Sequence, residues 1–528
     1  MNLRNGSKWW IVTVLVVIGT GLCAIKAGAQ PNGTGDYERG VDVLTRGPVH
    51  EAFAETVTFN PEPGIVVAKA PREIIEEIPP DQRPDGVNVS WIPGYWAWDD
   101  EGNDYLWISG IWRALPPGRQ WLPGYWGQTS RGYQWTSGYW ADASVDEVEY
   151  LPEPPESMEV GPNIAAPAPN LGWVPGSWVW HQSRYAWRPG YWAAGRPDWD
   201  WVPAHYIWAP RGYVYSDGYW DYPVERRGVL FAPVHFHEEV YSRRGYSYSP
   251  SFAINLSVFS DQLFVRPRYQ HYYFGDYYDR GYEDRGFFAS FSYQSSRHGY
   301  DPIYANRRWQ NRGDRDWERR DRDNFSHRRE FADSRPPRTL QAQRERNART
   351  ARPGERRLDA ASPFDQLSKG IGSALRFRKI DKSERDQLSQ RGRAIQNTRV
   401  ERQRSEARSA NPSNNRSSNS NSPDRVKLSK SSIRSKALNL LGKGQAPPNR
   451  HKVPNSDPKI QPKARQSPQA RAVDPRTQPK AQQSRSAPPE KKAESRRDPP
   501  KREPKERSKG DSKDESKDEK RKKDGSRK

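Results

Sequence analysis

The feature that most constrains the fold is a six-residue aromatic repeat, Trp-x-x-Gly-x-Trp, which recurs between residues 91 and 220. Eighteen of the 22 Trp residues lie in this range, so the aromatic content is local. Copies begin 16, 14 and 14 residues apart in a first block and 14 residues apart throughout a second. A 14-residue period is too short for a helical hairpin and fits one strand followed by a reversal. The copies begin at Trp91, Trp107, Trp121 and Trp135, then at Trp173, Trp187, Trp201 and Tyr215.

The repeats predict a mainly β fold, an antiparallel meander in two blocks of four, at residues 91–140 and 173–220. Alternating aromatic residues such as Tyr133-Gln134-Trp135 are typical of strands, and turn-like stretches precede them. The central Gly leaves a hole that a Trp of the neighbouring strand can cover, and it permits a bend. Alternatively, Pro-Gly and Ser-Gly are themselves turns, which gives two short strands per repeat.

Two uses of the Trp side chains are compatible with this pattern. Only 33% of the residues are hydrophobic, so the aromatic rings are needed to build a core. On a second interpretation, one face stays exposed and its flat rings stack on sugars or hold a cation. The candidate ligand-binding aromatics are Trp96, Trp112, Trp126, Trp140, Trp178, Trp192 and Trp220.

The regions around the repeats differ in composition. We expect a Pro-rich lead-in at 30–90, a Pro-rich linker at 141–172 and an aromatic β-rich extension at 221–300. A charged helical region follows at 301–400, with a helix predicted to begin at Ser362-Pro363. Residues 401–528 contain no Phe, Trp or Tyr and are predicted to form a long disordered tail.

The chain begins with a predicted signal peptide at residues 1–29. Arg4 and Lys8 precede an apolar run, and Ala27-Gly28-Ala29 then forms a small-x-small cleavage site. The competing interpretation is an uncleaved N-terminal anchor in the inner membrane, because the apolar run is near the length of a spanning helix. We therefore expect an exported protein of the periplasm or cell envelope, or a secreted one. Cleavage would remove Cys23, and the mature chain would then have neither a disulfide nor a thiolate metal site.

The positive charge is concentrated in the predicted tail. Residues 401–528 hold 36 Lys and Arg against 16 Asp and Glu, whereas the net charge of the whole chain is +21. Such a tail predicts binding to an anionic envelope polymer or a lipid surface, with an affinity that falls as salt rises. Export makes nucleic acid a poor candidate, and a tail without aromatic residues cannot stack on bases.

No recognised catalytic motif is present. We therefore expect that the protein is not an enzyme and binds no cofactor or small-molecule substrate. His235 and His237 would lie on one face of a strand and could supply two metal ligands. With no clear third ligand nearby, surface or structural histidines are the better interpretation, and no metal site is predicted.

The recurring motif, often with Tyr before its second Trp, resembles the YXWGXW (WXXGXW) repeat proteins, exported bacterial proteins of poorly defined function. The resemblance covers residues 91–220, and the last two copies depart from the pattern at Ala204, Tyr206 and Tyr215. It implies an envelope location and a non-enzymatic role, with no catalytic residue or ligand attached. The sequence thus favours an envelope scaffold or interaction protein, with a carbohydrate-binding module as the alternative.

Overall fold

The computed structural model describes residues 39–86, 88–350, 359–369, 375–407 and 423–436. All of these lie in one unit of the chain, Met1–Lys452. The predicted signal peptide and most of the predicted tail lie outside the described residues, so both remain predictions here.

Short strands precede the repeats, within the predicted Pro-rich lead-in. They are β1 (Val41–Val43), β2 (Gly47–Pro48), β3 (Val57–Thr58), β4 (Val66–Val67), β5 (Glu76–Glu77) and β6 (Gln82–Pro84).

Each repeat forms two strands that meet at its central x-Gly pair. The first block contains β7 (Val89–Ile92), β8 (Tyr95–Asp99), β9 (Asp104–Ile108), β10 (Ile111–Ala114), β11 (Arg119–Leu122), β12 (Tyr125–Thr129), β13 (Gly132–Thr136) and β14 (Tyr139–Asp142). After β15 (Glu147–Leu151), the second block contains β16 (Leu171–Val174), β17 (Ser177–His181), β18 (Arg184–Arg188), β19 (Tyr191–Ala194), β20 (Asp200–Val202), β21 (His205–Ala209), β22 (Gly212–Ser216) and β23 (Tyr219–Asp221).

Repeats pair two by two into four hairpins, which we call A, B, C and D in chain order. Within each hairpin the first aromatic residue of one repeat lies opposite the second of the other, as Trp91 opposes Trp112 and Trp96 opposes Trp107. Hairpins B, C and D repeat this register. The predicted antiparallel connection is confirmed, with the pair of repeats as its unit.

The central x-Gly pair interrupts each strand without reversing the chain, because both halves of a repeat face the same partner repeat. The bent-strand interpretation therefore describes the path, although the two halves belong to different sheets. The reversals lie between the repeats of a hairpin. Two-residue turns close hairpins B, C and D, whereas four residues separate Asp99 from Asp104 in hairpin A. The longer turn explains the single spacing of 16.

Three of the hairpins carry a third, antiparallel strand on the second repeat. In hairpin B, β4 pairs with β13, and in hairpin D, β15 pairs with β22. In hairpin A, the strand that pairs with β9 is β25 (Val234–Phe236), which follows β24 (Gly228–Leu230) in the chain. The predicted linker at 141–172 thus contains a strand, β15, that belongs to a repeat sheet.

The extension at 221–300 mixes short strands and helices. Its further elements are α1 (Glu238–Tyr241), β26 (Ser247–Tyr248), β27 (Phe252–Ile254), α2 (Leu256–Phe259), β28 (Leu263–Arg266), β29 (His271–Phe274), α3 (Arg280–Asp284), β30 (Phe288–Ala289), α4 (Ser290–Ser295) and β31 (Gly299–Tyr300). Strand β27 ends at Ile254, and Asn255 then accepts a hydrogen bond from the Ser257 amide and so caps α2.

The helices expected after residue 300 are present. They are α5 (Pro302–Gln310), α6 (Trp317–Glu330), α7 (Leu340–Thr350), α8 (Phe364–Lys369) and α9 (Lys382–Ala407), with β32 (Ala361–Pro363), β33 (Phe377–Lys379) and β34 (Asp424–Lys427) between or after them. The helix expected from Ser362-Pro363 begins at Phe364, because residues 361–363 pair with β27 instead.

The start of the predicted tail at residue 401 needs correction. Helix α9 continues to Ala407, and β34 pairs with β15. Arg402, Glu406 and Ile433 are fully buried against the repeats. Composition alone suggested disorder here, but tertiary packing overrides it in residues 401–407 and 423–436.

Candidate functional site

Each central glycine of a hairpin lies beneath the first aromatic ring of the partner repeat. A Cβ atom on Gly138 would lie 2.5 Å from the ring of Trp121, and one on Gly190 would lie 2.4 Å from the ring of Trp173. Gly94, Gly110, Gly124, Gly176 and Gly218 show the same relation. The predicted role of the glycine as a hole covered by Trp is thus confirmed.

Two of the three positions at which hairpin D departs from the motif, Ala204 and Tyr215, are related by this geometry. Gly218 lies under Trp201, so the pseudo-symmetric position Ala204 corresponds to Tyr215. A smaller ring stands where the partner residue carries a Cβ atom. The symmetry of the hairpin thus relates the replacement of Gly by Ala to the replacement of Trp by Tyr.

A buried carboxylate joins the two repeats of hairpin A, and a second buried carboxylate binds the second repeat of hairpin B. Glu77 accepts hydrogen bonds from the backbone amides of Gly94 at 2.7 Å and Gly110 at 2.9 Å, and from Trp107 Nε1 at 3.1 Å. Glu51 accepts from the Gly138 amide at 3.0 Å and from Trp135 Nε1 at 3.2 Å. The missing glycine Cβ gives each carboxylate access to the backbone amides.

In hairpin C, Glu159 makes the same two kinds of contact, but both donors belong to the first repeat. Its carboxylate accepts from the Gly176 amide, and from Trp173 Nε1 at 2.9 Å. In hairpin D the Trp201 indole nitrogen is buried and has no hydrogen-bond partner among the described residues.

The segments that carry Glu77 and Glu159 cross hairpins A and C in the same way, and we call residues 69–77 and 152–159 the straps. Trp96 Nε1 donates to Glu73 O at 2.8 Å, and Trp178 Nε1 donates to Glu156 O at 3.0 Å. Tyrosine hydroxyls donate to Lys69 O and Pro152 O at the far end of each strap. Lead-in and linker are thus equivalent parts of two repeated units.

Sequence reasoning missed the straps, although a signal was present. Glu77 precedes Trp91 by 14 residues, and Glu159 precedes Trp173 by the same interval. This spacing equals the repeat period, so the glutamates could have been aligned with the repeats.

Cationic or histidine side chains occupy the opposite side of the hairpins. Arg402 donates to Pro123 O at 3.1 Å and to Ser137 O at 2.7 Å, the equivalent carbonyls of the two repeats in hairpin B. Arg119 donates to Asp217 O at 3.0 Å in hairpin D. In hairpin A, His50 lies 3.2 Å from Pro93 O. Hairpin B is therefore held between a carboxylate and a guanidinium.

Burial shifts the pKa values of several groups in this region. It raises the pKa of Glu51 to about 8 and that of Glu77 to about 7, although the N–H donors oppose the shift. Burial also lowers the pKa of His50 to about 3 and that of His271 to about 4. These groups make hydrogen bonds in the core, so their pKa shifts make the stability of the fold depend on pH.

The seven candidate ligand-binding aromatics differ in burial: three of the four in the first block are buried, whereas Trp126 and the three in the second block are half-buried. Trp96, Trp112 and Trp140 are at most 1% exposed, so their rings offer no surface to a ligand. They help to form the hydrophobic core, for which the chain has few aliphatic residues. Half-buried positions are held by Trp126, Trp178, Trp192 and Trp220.

An aromatic cluster lies at the surface of hairpins C and D. Trp178, Trp180 and Tyr185 of hairpin C pack beside Trp208 and Tyr215 of hairpin D, and all five are half-buried. In hairpin A, the equivalent Trp96 is covered by Phe236, Tyr241 and the guanidinium of Arg72. Trp96 and Trp178 thus differ in whether other side chains of the protein cover the ring.

The remaining candidate residues form no metal centre. His235 lies 3.4 Å from Asp99, and His237 lies 3.0 Å from Asp42, so the two rings have different carboxylate partners. No group of three or more His, Cys, Asp or Glu among the described residues is arranged to hold a metal ion. A pocket of about 370 Å³ between Arg83 and α9 is lined by charged side chains, and Arg83 pairs with Glu384. Within the described ranges, no helix has the length and apolar character needed to cross a membrane.

Comparison with known families identifies the repeat. The WXXGXW repeat family matches residues 86–113, 173–193 and 185–205. This chain contains WXXGXW repeats. The matches cover hairpin C and most of hairpin A. Hairpin B lies outside them but has the same register and glycine geometry. Neither the curated proteins nor the solved structures include a match to this chain.

Proposed function

We propose that the protein is a non-enzymatic interaction scaffold of the cell envelope, attached to anionic material by its basic C-terminal segment. The observation that carries this proposal is the contrast between equivalent hairpins. Hairpin A buries the four Trp side chains of its two motifs and is covered by other segments of the chain, whereas hairpin C leaves the Trp rings of its motifs half-buried. A rigid block with one open face suits a protein that presents a surface.

The attachment resides in residues 437–528, which lie outside the described residues. They hold 27 Lys and Arg against 13 Asp and Glu, a net charge of +14. Phosphate groups on lipids or on envelope polymers would attract this charge in a salt-dependent way.

The test compares the full chain with a variant ending at Lys436, which keeps every described residue. Vesicles of phosphatidylglycerol and phosphatidylcholine would probe lipid phosphate, and inorganic polyphosphate would probe a polymer, each over a salt series. The full chain should bind at low salt and dissociate as salt rises, and the truncated chain should not bind. Equal binding by both chains, or equal binding to pure phosphatidylcholine, would contradict the attachment.

A second candidate is polysaccharide binding by the aromatic cluster of hairpins C and D. It is favoured by the half-buried rings of Trp178, Trp180 and Trp208. Titration of Trp fluorescence with neutral oligosaccharides tests it, with Trp180→Ala as the variant. A response that persists in Trp180→Ala would exclude this surface as the site.

A further inference from the structure

Strand β18 of hairpin C is a sheet edge whose equivalents in the other hairpins are covered. The covered positions are Trp107 in hairpin A, Tyr133 and Gln134 in hairpin B, and Tyr213 and Val214 in hairpin D. Among the described residues, β17 and β18 form a sheet of two strands only. Three of four pseudo-equivalent edges therefore accept an antiparallel strand, and the fourth does not.

The edge of β18 has backbone groups suited to such pairing. In hairpin B the amide of Trp135 donates to Ile65 O at 3.0 Å, beyond the hairpin itself. Trp187 occupies the same register position in hairpin C, so its amide points away from β17. Tyr185 lies two residues earlier and has the same orientation. Unpaired edge groups of this kind are templates for another extended chain.

The strands on the equivalent edges indicate what the occupant must contain. Val67 lies opposite Tyr133 in hairpin B, and Leu151 lies opposite Tyr213 in hairpin D. Tyr185 is the corresponding tyrosine of hairpin C. An aliphatic side chain opposite Tyr185 would therefore reproduce the contact.

The positive charge of β18 indicates which kind of chain could pair with this edge. Arg184 is exposed, and Arg188 lies at the other end of the same strand. Antiparallel pairing of two β18 strands from two copies would place Arg184 opposite Arg188, a repulsive contact. The chain's own basic segment is disfavoured for the same reason.

We propose that the β18 edge binds an extended, acidic segment of a partner protein by strand addition, with an aliphatic residue opposite Tyr185 and a carboxylate beside Arg184. Backbone hydrogen bonds would supply the pairing, and the side chains would supply selectivity. This site is independent of the attachment through residues 437–528. Its failure and the failure of the attachment are therefore distinguishable in the variant ending at Lys436.

The probe is a labelled synthetic peptide, acetyl-Gly-Glu-Val-Thr-Val-Glu-Gly-amide, titrated into the full-length protein. Binding should saturate, and a peptide with Lys in place of Glu should bind about three- to fivefold more weakly. The variant Arg184→Glu should reverse this preference. It changes one exposed side chain, so folding should be preserved. An unchanged preference would overturn the proposal.

Backbone pairing is tested in the peptide, without altering the protein. N-methylation of one alternate set of peptide amides should abolish binding, whereas N-methylation of the other set should not. Hydrogen exchange at the amides of Tyr185 and Trp187 should slow when the peptide binds. The proposal fails if both methylated peptides bind as well as the parent. It also fails if cellohexaose protects these amides while the peptide does not.

Discussion

At the residue scale, the glycine and the aromatic residues of the motif have different structural roles. The glycine leaves space for the partner Trp and exposes its amide to a buried carboxylate, as Gly110 does toward Glu77. The indole nitrogen then donates to the same carboxylate, as in Trp107. The buried carboxylate therefore pairs the indole nitrogen of Trp107, whereas those of Trp91 and Trp112 are buried with no partner among the described residues.

Replacing Gly138 by Ala should destabilise the protein by about 1–3 kcal/mol or more, because the added methyl group overlaps the ring of Trp121. Gly172→Ala is the matched control, since no atom lies within 4 Å of its Cβ position. Urea denaturation followed by Trp fluorescence measures both. Equal midpoints for the two variants would contradict the packing described.

Glu77→Ala should cost several kcal/mol, because three buried N–H donors lose their acceptor and each unsatisfied group costs about 1–3 kcal/mol. The neighbouring residue supplies the control. Glu76 is exposed and pairs with Arg393, so Glu76→Ala should change stability by less than about 1 kcal/mol. Thermal unfolding of the two variants compares them, and similar losses would refute a special role for Glu77.

Glu51, Glu77, His50 and His271 together should contribute no net pH dependence to the unfolding free energy between about pH 4.5 and 6.5. In that range the folded state holds protons on Glu51 and Glu77, while the unfolded state holds them on His50 and His271, so the effects cancel. Above pH 6.5 the glutamates alone remain protonated in the folded state, and stability should fall as pH rises. Below pH 4.5 the histidines remain neutral only in the folded state, and stability should fall as pH falls.

Glu51→Gln isolates one part of this profile. Relative to this variant, the wild-type protein should lose about 1.4 kcal/mol of unfolding free energy per pH unit between pH 6.5 and 8. Urea titrations at several pH values supply the measurement. Parallel pH profiles would mean that Glu51 does not titrate in this range.

At the element scale, the unit of the fold is the hairpin of two repeats, which in A and C is crossed by its strap. Periodicity predicted the strands and turns, because alternation and turn residues are local signals. It also predicted the Trp over the glycine, since that contact follows from one strand lying beside the next.

The third strands and straps could not be derived from the repeat. Val67 and Leu151 belong to segments whose composition indicates only proline-rich connections, and their partners are set by tertiary packing. For the same reason, the sequence could not show which of the candidate ligand-binding aromatics are buried. Sequence named Trp178 and Trp192, which are half-buried, but gave no means to separate them from Trp96, whose cover comes from Phe236 and Tyr241.

At the scale of the whole molecule, segments distant in sequence cover the first block. Helix α9 buries Arg402, whose Nε lies 2.8 Å from Glu406, and two hydroxyls, of Tyr125 and Tyr150, donate to the Glu406 carboxylate. The buried Glu406 carboxylate thus accepts hydrogen bonds from the Arg402 guanidinium and from both tyrosine hydroxyls. Residues 382–407 and 423–436 are thus part of the fold of the repeats.

Truncation separates this role from that of the basic segment. A chain ending at Val400 should unfold more than about 5 °C below one ending at Lys436, because it lacks the buried Arg402, Glu406 and Ile433. The chain ending at Lys436 should match the full-length protein. Thermal unfolding followed by near-UV circular dichroism measures all three. Identical midpoints for the two truncated chains would show that α9 does not stabilise the repeats.

The central claim is that the repeats of the first block build a closed aromatic core, whereas hairpin C keeps its rings at the surface. Hydrogen exchange of the indole N–H groups in protein labelled with ¹⁵N-Trp tests it most directly, with signals assigned by Trp→Phe variants. The indoles of Trp107 and Trp135, held by buried glutamates, should exchange at least about a hundredfold more slowly than those of Trp178 and Trp192. Equal exchange rates in the two blocks would contradict the claim.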